Sequence, residues 1–101
     1  MSLVMLTLVA PMALKEDLVA AMLAHGPTAQ AGFVAREVEG CGDRVAYDSS
    51  IERVRGHRLA VEIVVTAPEH DIRSLLDALR AGMAGRDVTW RIAAVTAAGT
   101  L

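Results

Sequence analysis

Between Leu3 and Ala10 the chain is apolar at nearly every position, with Leu3, Met5 and Val9 on one side of an extended chain and Val4, Leu6 and Leu8 on the other. A strand apolar on both sides belongs in the middle of a sheet, with cover on both faces. Pro11 stands where a helix begins, and Leu14, Leu18, Ala21 and Met22 then recur at helical spacing with Lys15, Glu16 and Asp17 outward. The spacing predicts a first helix from about Met12 to Ala24, stopped by Gly26-Pro27, with residues 25–31 as a connecting loop. A second strand (Gly32 to Glu39) and a third (Arg58 to Thr66) follow, separated by a stretch far longer than the roughly two to five residues of a tight hairpin. Leu8-Val9-Ala10-Pro11 is then echoed by Val65-Thr66-Ala67-Pro68, each a strand end leading into a helix. In the second helix Ile72, Leu75, Leu76, Leu79 and Met83 form the buried stripe, Glu69 and Asp71 occupy the first turn, and Arg80 lies in the last, as the helix dipole prefers. Gly82 and Gly85 are expected to end it. A last strand, roughly Asp87 to Thr96, alternates Val88, Trp90, Ile92 and Ala94 with Thr89, Arg91, Ala93 and Val95.

The order β-α-β-β-α-β is the ferredoxin-like arrangement: an α+β fold with an antiparallel four-stranded sheet and both helices on one face. It is expected to fill residues 1–101 as one domain, with a loop at about 42–56. The helices cover one face, yet strands one and three are apolar on both. Packing of several copies against one another would cover the second face, so the pattern predicts a homo-oligomer.

Composition sharpens this picture. Aromatic residues make up 3% of the chain and the formal charge is −2, which removes both the stacking platform and the basic footprint of a nucleic-acid-binding protein. Cys41 is the single cysteine, so no intramolecular disulfide forms and a reducing compartment is expected. The apolar opening segment has no basic residue before it, and Pro11 ends it well short of the roughly 20 residues that span a bilayer. The expectation is a cytoplasmic protein without direct membrane insertion.

Candidate chemistry gathers between strands two and three. Gly40-Cys41-Gly42 either presents backbone N–H groups to a ligand or only releases the chain from strand two into the loop. Cys41 is a soft metal ligand, a redox thiol or an inert side chain; His57 approaches it across the hairpin only if the register turns both to one face. Arg44, Arg53, Arg55, His57 and Arg58 place positive charge around the loop, suited to phosphates and carboxylates, or form a solvated rim balanced by Asp43, Asp48 and Glu52. Arg91 is a candidate for an intersubunit cleft, Trp90 is read as core, and His25 and His70 as surface residues at helix ends. Residues 43–54 are expected to be mobile without a partner. No nucleophile–base–acid set, apolar carboxylate pair or His-rich cluster stands out, so an enzyme is not expected.

With this topology and a long loop after Val38-Glu39-Gly40-Cys41-Gly42, entered from Gly32-Phe33 and left through residues 50–58, the chain resembles the PII-like signalling superfamily. More narrowly it is similar to an uncharacterised PII-like family often encoded beside heavy-metal efflux systems of the resistance-nodulation-division type. The resemblance implies a trimeric sensor that binds a small anionic effector or metal ion in intersubunit clefts and docks on a partner, such as an efflux transporter, through the long loop. The candidate ligand-binding residues read from the chain itself are Gly40, Cys41, Gly42, Arg44, Arg53, His57, Arg58 and Arg91, with Cys41 and His57 as the candidate metal ligands. The nucleotide-binding segment of PII proteins falls near residues 82–87; here it is short and lacks lysine, so the resemblance does not extend to ATP or ADP, and no cofactor is specified. A small ferredoxin-like enzyme and a passive divalent-cation tolerance protein share the fold and are the alternatives.

Overall fold

Apolar side chains on both sides of the opening segment give it the position they predict, inside the sheet. In the computed structural model, which describes residues 2–42 and 57–101, β1 (Leu3–Pro11) is hydrogen-bonded on both sides, antiparallel to β3 (His57–Pro68) and to β4 (Thr89–Ala94). β2 (Phe33–Cys41) pairs with the other side of β3, so the four-stranded sheet runs β2-β3-β1-β4. The helical elements are a 3-10 turn (Met12–Leu14) leading into α1 (Lys15–Ala24), then α2 (Gly26–Ala31) and α3 (Glu69–Met83).

The register decides which residues enter the core. Val4, Leu6, Leu8 and Ala10 of β1 stand opposite Ala67, Val65, Ile63 and Val61 of β3, and all eight are buried. Leu18 and Met22 of α1 and Ile72, Leu75, Leu76 and Leu79 of α3 close over this row in one hydrophobic cluster. The helices therefore share one face of an α+β, ferredoxin-like sheet. The two strand–helix junctions repeat almost to the degree, with Pro11 at φ −53°, ψ 141° and Pro68 at φ −55°, ψ 142°. The proline ring sets φ and removes an N–H that neither the ending ladder nor the starting helix needs.

Four expectations are corrected. Residues 25–31 are not a loop: Pro27, which cannot continue α1, sits in the first turn of α2, because the first turn of a helix needs no proline N–H. Extended backbone at His25 (φ −88°, ψ 106°) separates the two helices. Gly82 does not end α3, which runs to Met83, with Ala84 as its cap and the chain turning at Gly85 (φ 76°). Gly40 and Cys41 do not release the chain from strand two; both remain in the ladder opposite Arg58 and His57, and strand three correspondingly begins at His57 and runs to Pro68. The last strand is shorter than its alternating pattern, covering Thr89–Ala94.

Burial predicts how the core responds to truncation. Leu75→Ala, at a fully buried position, should cost about 2–5 kcal/mol in equilibrium urea unfolding. Leu23→Ala on α1, where the side chain is 58% exposed, should stay within about 0.5 kcal/mol. Equal losses at the two positions would contradict the packing described.

Candidate functional site

The corner between α3 and β4 holds a concavity with largely apolar walls. After Met83 the chain reverses through Gly85 (φ 76°) and Asp87 (φ 61°), the latter the one non-glycine residue with positive φ among the described residues. Aspartate tolerates this left-handed conformation better than most side chains. The turn leads through Val88 into β4, where Trp90 lies opposite Leu8 on the helix side of the sheet. α3 packs on β1 and β3, and Trp90 remains 45% exposed, which corrects its reading as core. The result is an open pocket of about 360 Å³, walled by Leu8, Leu76, Leu79, Met83, Val88 and Trp90, with Arg80 and Asp87 as its charged members. Arg80 Nη1 is 2.5 Å from Asp77 Oδ1, and Arg86 Nη1 donates to the carbonyl of Gly82 at 3.2 Å.

At the open end of the β2–β3 hairpin, Cys41 stands directly opposite His57, so the register turns both to the same side of the sheet. Glu39 belongs to that side too, its Oε1 3.9 Å from His57 Nε2. The Cys41 thiol is free and exposed. Among the described residues no group of three or more His, Cys, Asp and Glu is arranged to hold a metal ion. Gly40 and Arg58 face the opposite side. Arg58 is not a solvated rim residue: it is 7% exposed, with Nη1 3.9 Å from Asp87 Oδ2, which connects the hairpin end to the α3–β4 turn. Arg91 lies opposite Thr7 on the far edge strand, so a single chain does not bring it to Gly40 and Arg58. Gly42 (φ 110°) follows the last residue of β2. Arg44, Arg53 and Arg55, together with the expected mobile segment 43–54, lie outside the described residues.

The sheet face away from the helices carries Met5 (37% exposed), Val34 (66%), Val9, Val38 and Val64 around an Arg36–Glu62 ion pair of 2.7 Å. His25, read from the sequence as a surface residue, is a connector. Its Nδ1 is 2.7 Å from Thr28 Oγ1 and its Nε2 3.1 Å from Ser74 Oγ, which ties the α1–α2 junction to α3. Periodicity along each helix marks its buried stripe but carries no information on the offset between helices, so no sequence signal could have found this bridge.

The family model of DUF3240, described as a protein of unknown function, matches residues 1–101. No curated protein matches the chain by sequence. Among solved structures, a DUF3240 family protein from Shewanella baltica OS155 is similar at TM-score 0.78 and 20% identity, over 100% of this chain and 98% of that one. CPII, a nitrogen regulatory PII-like protein from Thiomonas intermedia K12 bound to ADP, AMP and bicarbonate, is similar at TM-score 0.71 and 15% identity, over 100% and 98%. Its apo form is similar at TM-score 0.66 and 14% identity, over 94% and 90%. At these identities the likeness is one of fold.

If His25 joins the helices as the distances indicate, its removal and that of Ser74 should not be additive. A double-mutant cycle with His25→Ala and Ser74→Ala should give a coupling of about 0.5–1.5 kcal/mol in urea unfolding. Simple additivity would show that the bridge does not form in solution.

Proposed function

Because the chain belongs to the DUF3240 family and carries a PII-like fold along its whole length, we propose that it is a PII-like regulatory protein, one that binds a small effector and passes its presence to a partner. The observation that carries this is the whole-length match to a PII-like regulator solved with ADP, AMP and bicarbonate. In this proposal the protein works by binding and catalyses no reaction.

The proposed assembly is a homotrimer. Its support is the sheet face without helix cover, where Met5, Val34 and Val64 would leave water against a second copy. Three-fold closure follows the PII resemblance; the exposed face alone asks for an oligomer of unstated number. Association would also bring Arg91 of one copy toward the hairpin end of another. That is the only way a cleft with Gly40, Cys41, Gly42, Arg44, Arg53, His57, Arg58 and Arg91 forms, because within one chain Arg91 sits on the opposite edge strand from β2. The proposed docking element is the stretch at about 42–56, and the proposed partner a heavy-metal efflux transporter.

A metal-ion effector is favoured by one specific observation, the register that sets Cys41 against His57. A thiolate and an imidazole suit a soft or borderline cation such as Zn²⁺ or Cu⁺. The remaining ligands would come from outside the described residues or from another copy.

Light scattering at micromolar concentration should give three times the chain mass of 10.7 kDa. Val34→Asp, placed where one chain leaves the side chain 66% exposed, should lower that mass without unfolding the subunit. A single-chain mass for the unaltered protein would remove the trimer and the shared cleft together. For the metal arm, Zn²⁺ should raise the thermal midpoint of the unaltered protein, and Cys41→Ser should abolish the rise. The same rise in both proteins would exclude Cys41 as a ligand.

A further inference from the structure

The outer surface of the helix layer is complementary to itself, and we propose that it is a second interface between copies of this chain, with α3 antiparallel to the partner's α3 across a two-fold axis. This goes beyond the effector-binding reading and uses neither the long loop nor the uncovered face of the sheet.

The solvent side of α3 carries Glu69, Arg73, Asp77 and Arg80, which alternate in sign along the helix. At 3.6 residues per turn the four fall within roughly 80° of one another, so they form one stripe. Within a single chain they pair as Glu69–Arg73 and Asp77–Arg80, with side chains 47% to 75% exposed, and water screens both pairs. A two-fold axis centred near residue 75 reverses the stripe. It sets Arg73 against the partner's Asp77 and Glu69 against the partner's Arg80, and each meeting occurs twice because the contact is isologous. A parallel copy in register would set like charge against like. The order of signs therefore selects the antiparallel copy and rejects the parallel one.

α1 supplies the apolar part of the same surface. From Leu18 to Ala24 it has no polar residue on any side, although only Leu18 and Met22 are buried in the core. A helix apolar all round is normally a covered helix. Here Ala20, Leu23 and Ala24 remain exposed, as does Pro27 just beyond, with Leu23 at 58%. The His25–Ser74 bridge sets this end of α1 beside Ser74, one residue from the centre of symmetry of the charge stripe. An apolar patch next to the axis with charges along one flank has the core-and-rim arrangement of a protein interface. Its exposed charges and single leucine make it weaker than a buried apolar contact, so it forms at high protein concentration and low salt.

Light scattering on the intact protein tests this at about 10 mM ionic strength, as the chain concentration rises from micromolar to about 1 mM. The expected result is a doubling of the micromolar mass. In about 1 M salt, where the screening length falls to about 3 Å, the doubling should need at least tenfold more protein. Arg73→Asp and Asp77→Arg should each prevent it by setting like charges across the axis. The two together exchange those charges and should restore the doubling, even though both pairs within the helix are then lost. Leu23→Asp should prevent it and leave the micromolar mass unchanged. No doubling of the unaltered protein would overturn the proposal and leave the trimer and the effector reading untouched. Failure of the paired exchange to restore the doubling would overturn the antiparallel contact. A micromolar mass of one chain that doubles in this salt-dependent way would remove the trimer and support the helix-layer interface.

Discussion

The antiparallel register of β1 against β3, in which Leu6 meets Val65 and Leu8 meets Ile63, sets which side of every strand enters the core. Side chains alternate with a period of two, so a slip of one residue would turn Val4, Leu6, Leu8 and Ala10 away from the helices and leave α1 and α3 with no apolar row to cover. From that one alignment the other placements follow. β4 inherits its phase from β1, which puts Trp90 on the helix side next to Leu8 and Arg91 on the other side next to Thr7. β2 inherits its phase from β3, which sets Cys41 against His57 and Gly40 against Arg58 on opposite sides. The candidate chemistry is thus sorted onto two faces by the same register that builds the core.

The two faces differ in what covers them. On the helix side, α1 and α3 seal the β1–β3 row, but cover thins out toward both edge strands. Along β2, Ala35, Glu37 and Glu39 remain exposed although they share the helix-side phase, and at β4 the indole of Trp90 is left half open. The pocket is a consequence of this geometry: α3 ends at Met83, the turn through Gly85 and Asp87 carries the chain outward, and the edge strand receives no helix of its own. Among the described residues the other face has no helical layer, and its apolar side chains are interrupted by the Arg36–Glu62 pair. Arg36 is 71% exposed and Glu62 only 17%, so water at the guanidinium screens much of what the pair adds to the stability of a single chain.

Much of the fold was legible because local and global signals agreed. Pro11 and Pro68, each behind a doubly apolar run, marked both strand–helix junctions, and the stripe Ile72–Leu75–Leu76–Leu79 marked the buried side of α3. Residues 25–31 were illegible for a physical reason: a Gly-Pro pair ends one helix and can open the next by the same loss of an N–H, and Thr28 is a buried polar residue that periodicity does not count. At the candidate site, the alternation of β4 assigned Trp90 to the correct phase but carried no information on how far α3 reaches, so its exposure was missed. Whether Cys41 and His57 share a face depended on hairpin register, which no stretch of sequence states when the connection is long. Arg58 illustrates the same limit: its charge was visible, but its burial and its approach to Asp87 depend on residues 29 positions apart in the chain.

The proposed assembly gives the two faces different fates, one as core and one as a surface between copies. The methionine methyl groups read both in a single NMR spectrum with a soluble paramagnetic agent, because Met22 is fully buried under the helices, Met5 lies on the uncovered face and Met83 borders the pocket. The account predicts that Met22 and Met5 are equally protected at micromolar protein concentration while Met83 is broadened. Broadening of Met5 to the level of a freely exposed methyl group would contradict it.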